Sequence, residues 1–280
     1  MRTFGLEFIR LCLWLAVLAA IFIPLEKLWG LHRQKVFRKA LGADLVYYFS
    51  ANLLPRLVLV LPMSMAAAAL HRVTPSAFYD WTAGLPAAIR IGLALIAGEI
   101  GAYWAHRWSH RIPLLWRFHA VHHSAEELDW LVNSRAHPVD ILFTRLCTMI
   151  PMYALGLAQP LARNVDLVPV LVTIVGTLWG FFIHANVNWR FGWLEWIVST
   201  PAFHHWHHTN DSPEVLDRNY ASLLPWIDKC FGTFYLPPRY PERYGTDTPV
   251  AEDLAGQFLD PIFGAGAKAV RDASPIFPDS

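Results

Sequence analysis

Five of the 13 histidines fall between residues 106 and 123, in HRWSHRIPLLWRFHAVHH: His106, His110, His119, His122 and His123. Four more, His204, His205, His207 and His208, sit in FHHWHH. His106 and His110 are spaced i, i+4, so on a helix their Cβ atoms lie one turn apart on one face, about 5–6 Å from each other. His119, His122 and His123 repeat the pattern as i, i+3, i+4, and so do His204, His207 and His208. Each helix of this kind offers two or three neutral nitrogen donors on a rigid backbone. Both clusters border strongly apolar segments, where histidine is costly unless it is paired or ligated. The chemistry this predicts is a metal site at a membrane face. Eight imidazoles overfill one ion, but they suit two ions with about four or five protein ligands each and positions left open for oxygen or water. Imidazole suits iron, copper, nickel and zinc alike. The Glu-x-x-His motif of soluble di-iron bundles does not occur in the chain.

The elements that must position these rings are apolar. The 280 residues are 55% hydrophobic and 16% charged, against about a quarter charged in soluble domains, and the mean hydropathy is +0.31. The composition is that of a membrane protein, and 13 Trp suit interface anchoring. A net charge of +1 gives no case for nucleic acid. Cys12, Cys147 and Cys230 form no CxxC pair, so neither a zinc ribbon nor a disulfide framework is indicated.

Apolar segments run from Leu11 to Leu25, from about Leu45 to Leu70 with kinks at Pro55 and Pro62, from about Pro86 to Trp104, from about Ile141 to Leu157, and from about Val165 to Ile183. The first reads as a retained helix rather than a cleaved signal peptide, because it is long and Glu7 sits where a positive n-region would be. The loop after it carries Lys27, Arg33, Lys35, Arg38 and Lys39, and the positive-inside rule places it in the cytoplasm. Counting crossings from there puts 71–85 outside. It puts 106–140 and 185–280, and with them every clustered histidine, on the cytoplasmic side. Pro113 breaks the helix after His110, and Pro201, preceded by Ser199 and Thr200, starts the helix of the last cluster. The stretch 186–198, NVNWRFGWLEWIV, predicts a helix lying in the interface. From Pro237 onward Pro, Gly and charge predict a loosely structured tail, and GAGAKA at 264–269 has no βαβ context and reads as a loop. Glu99, inside the third segment, needs a partner, with Arg90 or a neighbouring helix as the candidates.

The expected fold is therefore all-α: a polytopic membrane protein with about four to five transmembrane helices and a cytoplasmic helical cap holding a histidine-rich di-metal site. It is read as a single membrane-embedded domain over 1–280, with N-terminal membrane helices in 1–85, a histidine-box catalytic core in 86–236 and a cytoplasmic tail in 237–280.

The three boxes in this order, over a multi-span chain, resemble the fatty acid hydroxylase / sterol desaturase superfamily. The resemblance covers roughly 86–236 and includes Trp116, the Arg135–Pro138 stretch, His184 with Asn186, and Asp228 to Thr233. It implies a membrane-bound non-haem di-iron oxidoreductase. Dioxygen is the co-substrate, and a C–H bond of a sterol, fatty acyl chain or related lipid is hydroxylated or desaturated. It implies that His106, His110, His119, His122, His123, His204, His207 and His208 are metal ligands, with His184 a ninth, and that His205 holds a box position that is not a ligand. Asn188 stands where some members carry a further histidine, which leaves the ligand count at one metal open. His137 and Asn188 are candidates to orient ligands rather than bind metal, as are Asp129, Asp140, Asn186, Asp211 and Asp228.

No haem-attachment, iron–sulfur or nucleotide motif accompanies the boxes. Electrons would then come from a separate ferredoxin- or cytochrome-type donor with its reductase. The expected location is the bacterial inner membrane, or the endoplasmic reticulum for a eukaryotic chain. Zinc in place of iron would give a di-zinc hydrolase acting on lipid head groups without electrons. A metal transporter is the remaining alternative, disfavoured because transport sites lie near the bilayer midplane and these histidines lie at segment ends.

Overall fold

Proline and side-chain caps set the ends of the helices that the apolar runs form. The structure, a computed structural model, describes residues 2–158 and 167–264. Its helices are α1 (Arg2–Trp29), α2 (Leu41–Val58), α3 (Val60–Val73), α4 (Ser76–Ala83), α5 (Ala87–Arg111), α6 (Pro113–His123), α7 (Pro138–Ala154), α8 (Leu167–His184), α9 (Pro201–His207), α10 (Trp226–Cys230) and α11 (Leu254–Phe263). Short 3₁₀ turns lie at Trp130–Ser134, Gly192–Trp196 and Pro213–Val215. Among the described residues there is no strand, only an isolated bridge between Thr209 and Tyr244. Pro113, Pro138 and Pro201 each open a helix, where the missing N–H costs nothing. Thr200 caps α9 by accepting from the Phe203 N–H at 3.4 Å, as its position ahead of Pro201 predicts.

Phe4–Trp29 within α1 and all of α5 are long and apolar enough to cross a membrane by length and composition. The expected 45–70 segment divides at Leu59 into α2 and α3. The outward faces of α1, α3, α5 and α8 carry exposed large apolar residues, among them Leu13, Leu61, Leu93 and Ile174.

Inside, α5 packs along α7 through small residues. A Cβ built on Gly101 would lie 2.1 Å from the Cys147 carbonyl oxygen, so only glycine allows this approach, as at other small-residue helix crossings. Gly180 of α8 fits the same way against Asn133, at 2.6 Å. Leu18 and Phe22 of α1, Tyr48 of α2, Trp130 and Phe181 form one core cluster. α1 is thereby packed against the rest of the fold.

α1, α5 and α8 end, and α2 and α7 begin, at one end of the bundle. The 30–40 loop closes there: Leu31 N–H bonds the Asn186 carbonyl, and Arg38 pairs with Asp129 at 2.7 Å and with Asp44 at 2.5 Å. Asp44 also takes Arg135 Nε at 2.6 Å. Buried charges of this kind persist only when paired and hydrogen-bonded. Glu26, at the end of α1, accepts from the Trp130 and Asn186 N–H groups at 2.8 and 2.9 Å. The basic loop and the histidine clusters thus share one end.

Three expectations are corrected. The 186–198 stretch is extended apart from the 3₁₀ turn Gly192–Trp196. Trp193 there is 70% exposed, so an aromatic face forms without the predicted helix. Residues 237–263 are not loose. Trp206 donates to the Arg239 carbonyl at 2.8 Å, Tyr240 donates to the Trp189 carbonyl at 2.8 Å, and α11 stacks Phe258 on Tyr47. These contacts fix a segment whose Pro and Gly content alone suggested freedom. The Gly264 end of GAGAKA caps α11 in the left-handed conformation, φ 75°, and its other residues lie outside the described ones. Glu99, finally, finds its partners in loop backbone among the described residues: it accepts from the Leu223 and Leu224 N–H groups, at 2.6 and 3.3 Å.

Candidate metal centre

Nine histidines, the eight of the boxes without His205 and also His184, come together in two groups. His106, His110, His119, His123 and His207 form one, and His122, His184, His204 and His208 the other. Within each, the candidate donor nitrogens all lie within 4.8 Å of one another. The boxes do not map one-to-one onto the groups. α5 gives His106 and His110 to the first. α6 gives it His119 and His123, an i, i+4 pair, while His122 points into the second group. α9 divides likewise, with His207 in the first and His204 in the second; His208, the cap of α9, joins His204. Stacking of His123 on His208, with centroids 4.5 Å apart, makes the groups neighbours.

The four-histidine group is the tighter one. His184 Nε2 lies 3.2 Å from His122 Nε2, 3.0 Å from His204 Nε2 and 3.2 Å from His208 Nε2, and the last two are 3.2 Å apart. Donors about 2.0–2.1 Å from a shared ion stand about 3.3 Å apart when tetrahedral and about 2.9 Å apart as octahedral neighbours. The protons confirm that these are not ordinary hydrogen bonds. His122 Nδ1 donates to the Arg135 carbonyl at 3.0 Å and His184 Nδ1 to the Gly180 carbonyl at 2.7 Å. A neutral ring has a single N–H, so the two facing Nε2 atoms both present lone pairs. A cation between them resolves that contact.

The five-histidine group passes the same test differently. The Nε2 atoms of His106, His119, His123 and His207 are buried without a hydrogen-bond partner, which is rare for buried polar atoms. On three of these rings the opposite nitrogen is committed: His106 Nδ1 to the Tyr220 carbonyl at 2.7 Å, His207 Nδ1 to the Arg218 carbonyl at 2.8 Å, and His119 Nδ1 to Asp140 at 3.0 Å. His110 Nδ1 meets Asp217 at 3.0 Å. Such partners fix the tautomer and aim the free nitrogen. Burial, reinforced by the neighbouring imidazoles, holds His122, His123, His204, His207 and His208 well below the ordinary histidine pKa. They are neutral at pH 7, the form that donates to a metal. The donor set therefore fits two metal ions.

One loop orients three rings. Asp217 and Asn219 take the left-handed conformation, φ 58° and 59°, which Asp and Asn tolerate better than other side chains. The alternation turns the Asp217 carboxylate and the Arg218 and Tyr220 carbonyls toward His110, His207 and His106. Asn219, fully buried, locks the loop: its amide bonds the Phe203 and Tyr235 carbonyls at 2.8 and 2.7 Å and the Tyr235 N–H at 2.7 Å. Asp228 accepts from the Tyr220 and Ala221 N–H groups, both at 2.8 Å.

The remaining candidates are placed as follows. His205 turns away, with Nδ1 on the Tyr244 hydroxyl at 2.8 Å and Nε2 donating to the Ala185 carbonyl at 3.1 Å. His137 caps α7 through the Val139 N–H and donates to the Phe258 carbonyl at 3.0 Å, so it ties α11 to α7 rather than orienting a ligand. Asn188 is exposed, with its backbone N–H on the Trp29 carbonyl, and belongs to neither group. Of the carboxylates considered, only Asp140 meets a clustered ring. Asp129 pairs with Arg38, Asn186 bridges to His32, and Asp211 accepts from the Glu242 and Arg243 N–H groups. Asp217 and the ring-holding carbonyls of Gly180, Arg135, Arg218 and Tyr220 are not apparent from the sequence.

Comparison with known proteins finds a family model and relatives. The family model described as fatty acid hydroxylase matches residues 91–233. An ornithine lipid hydroxylase, OlsE, of Rhizobium tropici is 31% identical over 255 residues, 90% of this chain and 74% of its own length. An alkylglycerol monooxygenase of Xenopus tropicalis is 30% identical over 56% of this chain and 33% of its own, and a Delta(7)-sterol 5(6)-desaturase of Gibberella zeae 24% identical over 54% and 43%. The chain thus spans less than half of these last two relatives. No solved structure matches.

Proposed function

The chain belongs to the fatty acid hydroxylase family, and from that membership we propose that it is a membrane-bound non-haem di-iron oxidoreductase that inserts oxygen into, or desaturates, a C–H bond of a membrane lipid. The observation that carries this is the pair of lone-pair-facing nitrogens, His122 Nε2 and His184 Nε2, beside a second group of inward-facing imidazoles. The nine histidines hold the ions, and two iron ions bound there supply dioxygen activation and hydrogen abstraction. Asp140, Asp217 and the Tyr220, Arg218, Arg135 and Gly180 carbonyls keep the protons of six of these rings on Nδ1, so that their Nε2 atoms stay donors. Packing of α5, α6, α8 and α9 around the rings excludes bulk water. For hydroxylation the balance is one lipid C–H, one dioxygen, two electrons and two protons giving one C–OH and one water. A separate ferredoxin- or cytochrome-type donor supplies the electrons.

The substrate to test first is an amino lipid, because the ornithine lipid hydroxylase is similar over 90% of this chain. The chain is one membrane-embedded domain whose five apolar segments cross the bilayer, with the histidines on the cytoplasmic side of a bacterial inner membrane. The five cations of the 27–39 loop and its place at the histidine end support that orientation. The hydrolase and transporter alternatives gain nothing from relatives that are hydroxylases, monooxygenases and desaturases. Lipid mass spectrometry with and without the gene tests the reading. A product heavier by one oxygen or lighter by two hydrogens, absent without air and absent for His119→Ala, is expected. Product formation without oxygen would refute it.

A further inference from the structure

The two histidine groups are supported unequally. In the five-histidine group two rings rest on carboxylates, His110 on Asp217 and His119 on Asp140, each at 3.0 Å. Two more rest on the carbonyls of Arg218 and Tyr220 in the Asn219-locked loop. In the four-histidine group no ring nitrogen meets a carboxylate among the hydrogen bonds of the described residues. His122 and His184 hold carbonyls, and His204 Nδ1 is buried with no hydrogen-bond partner. A carboxylate on the far nitrogen raises the basicity of a metal-bound imidazole and fixes its orientation, and losing it costs about 10–100-fold in metal affinity. A buried N–H without an acceptor weakens the ring that carries it.

From this we infer that Asp217 and Asp140 are positioning residues that make the two metal positions unequal: the five-histidine position retains its ion after the four-histidine position has released its own. The inference rests on the metal-binding reading above. It means that the pair empties in order, and that a half-loaded protein holds its ion among His106, His110, His119, His123 and His207.

The test uses the full chain in detergent, loaded with cobalt(II), then challenged with excess chelator while the cobalt-to-protein ratio is followed by elemental analysis. Two ions are expected at the start and two release phases separated by at least about tenfold. Asp217→Asn keeps the size of the side chain and suits the left-handed backbone at that position. It should speed the slow phase about 10–100-fold and leave the fast phase unchanged. Asp140→Asn should do the same, which keeps the test open if one variant fails to fold. His184→Ala should bind one cobalt and release it at the slow rate. Simultaneous loss of both ions, or a slow phase untouched by both Asn variants, overturns the inference while leaving the metal reading intact. A chain that binds no cobalt overturns the metal reading and this inference with it.

Discussion

The carbonyl of Arg135 accepts from His122 Nδ1 at 3.0 Å, while the guanidinium of the same residue grips Asp44 at 2.6 Å. A ring of the candidate metal centre is thus held in place by a buried ion pair reaching into α2. Asp44 also takes Arg38, and it is fully buried. Asp44→Ala would leave two buried guanidiniums short of a partner, a change that costs about 3–5 kcal/mol when a buried pair is broken from one side. The expected outcome is a clearly lower thermal unfolding midpoint in detergent and a reduced metal content. An unchanged midpoint would show that the pair does not hold the 30–40 loop and the 130–135 turn together.

Adjacent histidines of one motif should behave oppositely. His204 Nε2 faces His184 Nε2 at 3.0 Å, while His205 is spent on Tyr244 and Ala185. His204→Ala, like His119→Ala and His207→Ala, is expected to abolish product and lower the metal-to-protein ratio while the chain still inserts. His205→Ala should keep both ions and lose about 1–3 kcal/mol of stability, the usual penalty for stranding buried partners. Elemental analysis alongside thermal melts checks this; loss of metal in His205→Ala would contradict the geometry.

Two glycines on α5 make a matched pair. A Cβ at Gly101 would meet the Cys147 carbonyl at 2.1 Å, whereas Gly92 has nothing within 4 Å. Gly101→Ala should push α5 from α7 and cost about 1–3 kcal/mol, disturbing His106 and His110 on one helix relative to Asp140 on the other. Gly92→Ala should be neutral or stabilise by about 0.5–1 kcal/mol. Unfolding midpoints of the two variants, with product formation by the membranes that carry them, decide the matter.

The clustered histidines were legible because helical spacing is a property of residue type and order, and because imidazoles beside apolar runs have few inexpensive structural uses. The helices of the core were legible for the same reason of pattern. What holds the rings was not. Four of the six acceptors on ring Nδ1 atoms in the two groups are backbone carbonyls, of Gly180, Arg135, Arg218 and Tyr220, and a carbonyl has no signature in a sequence. Asp217 reaches His110 through a left-handed backbone that Asn219 stabilises from 16 residues away at Phe203 and Tyr235. The order of 237–263 was hidden likewise, since its anchors, such as the Trp206 bond to the Arg239 carbonyl, pair a legible side chain with an anonymous backbone atom.

Asp228 should give the chain a pH signature separable from that of the histidines. Burial pushes its carboxyl up to about 6, from an ordinary value of 3.8, against the opposing hydrogen bonds from Thr233 and the Ala221 and Tyr220 N–H groups. A carboxyl whose pKa is higher in the folded chain binds its proton more tightly there, so folding is favoured by protonation. Stability from this group therefore falls as pH rises from about 4 to about 6 and is level above that. Asp228→Asn removes the slope but keeps the size of the side chain. The difference in unfolding free energy between the natural chain and the variant should shift toward the natural chain as pH is lowered from 7 to 5. Denaturant melts at matched pH values measure it. A difference that stays flat, or moves the other way, would mean that the hydrogen bonds to the carboxylate outweigh its burial.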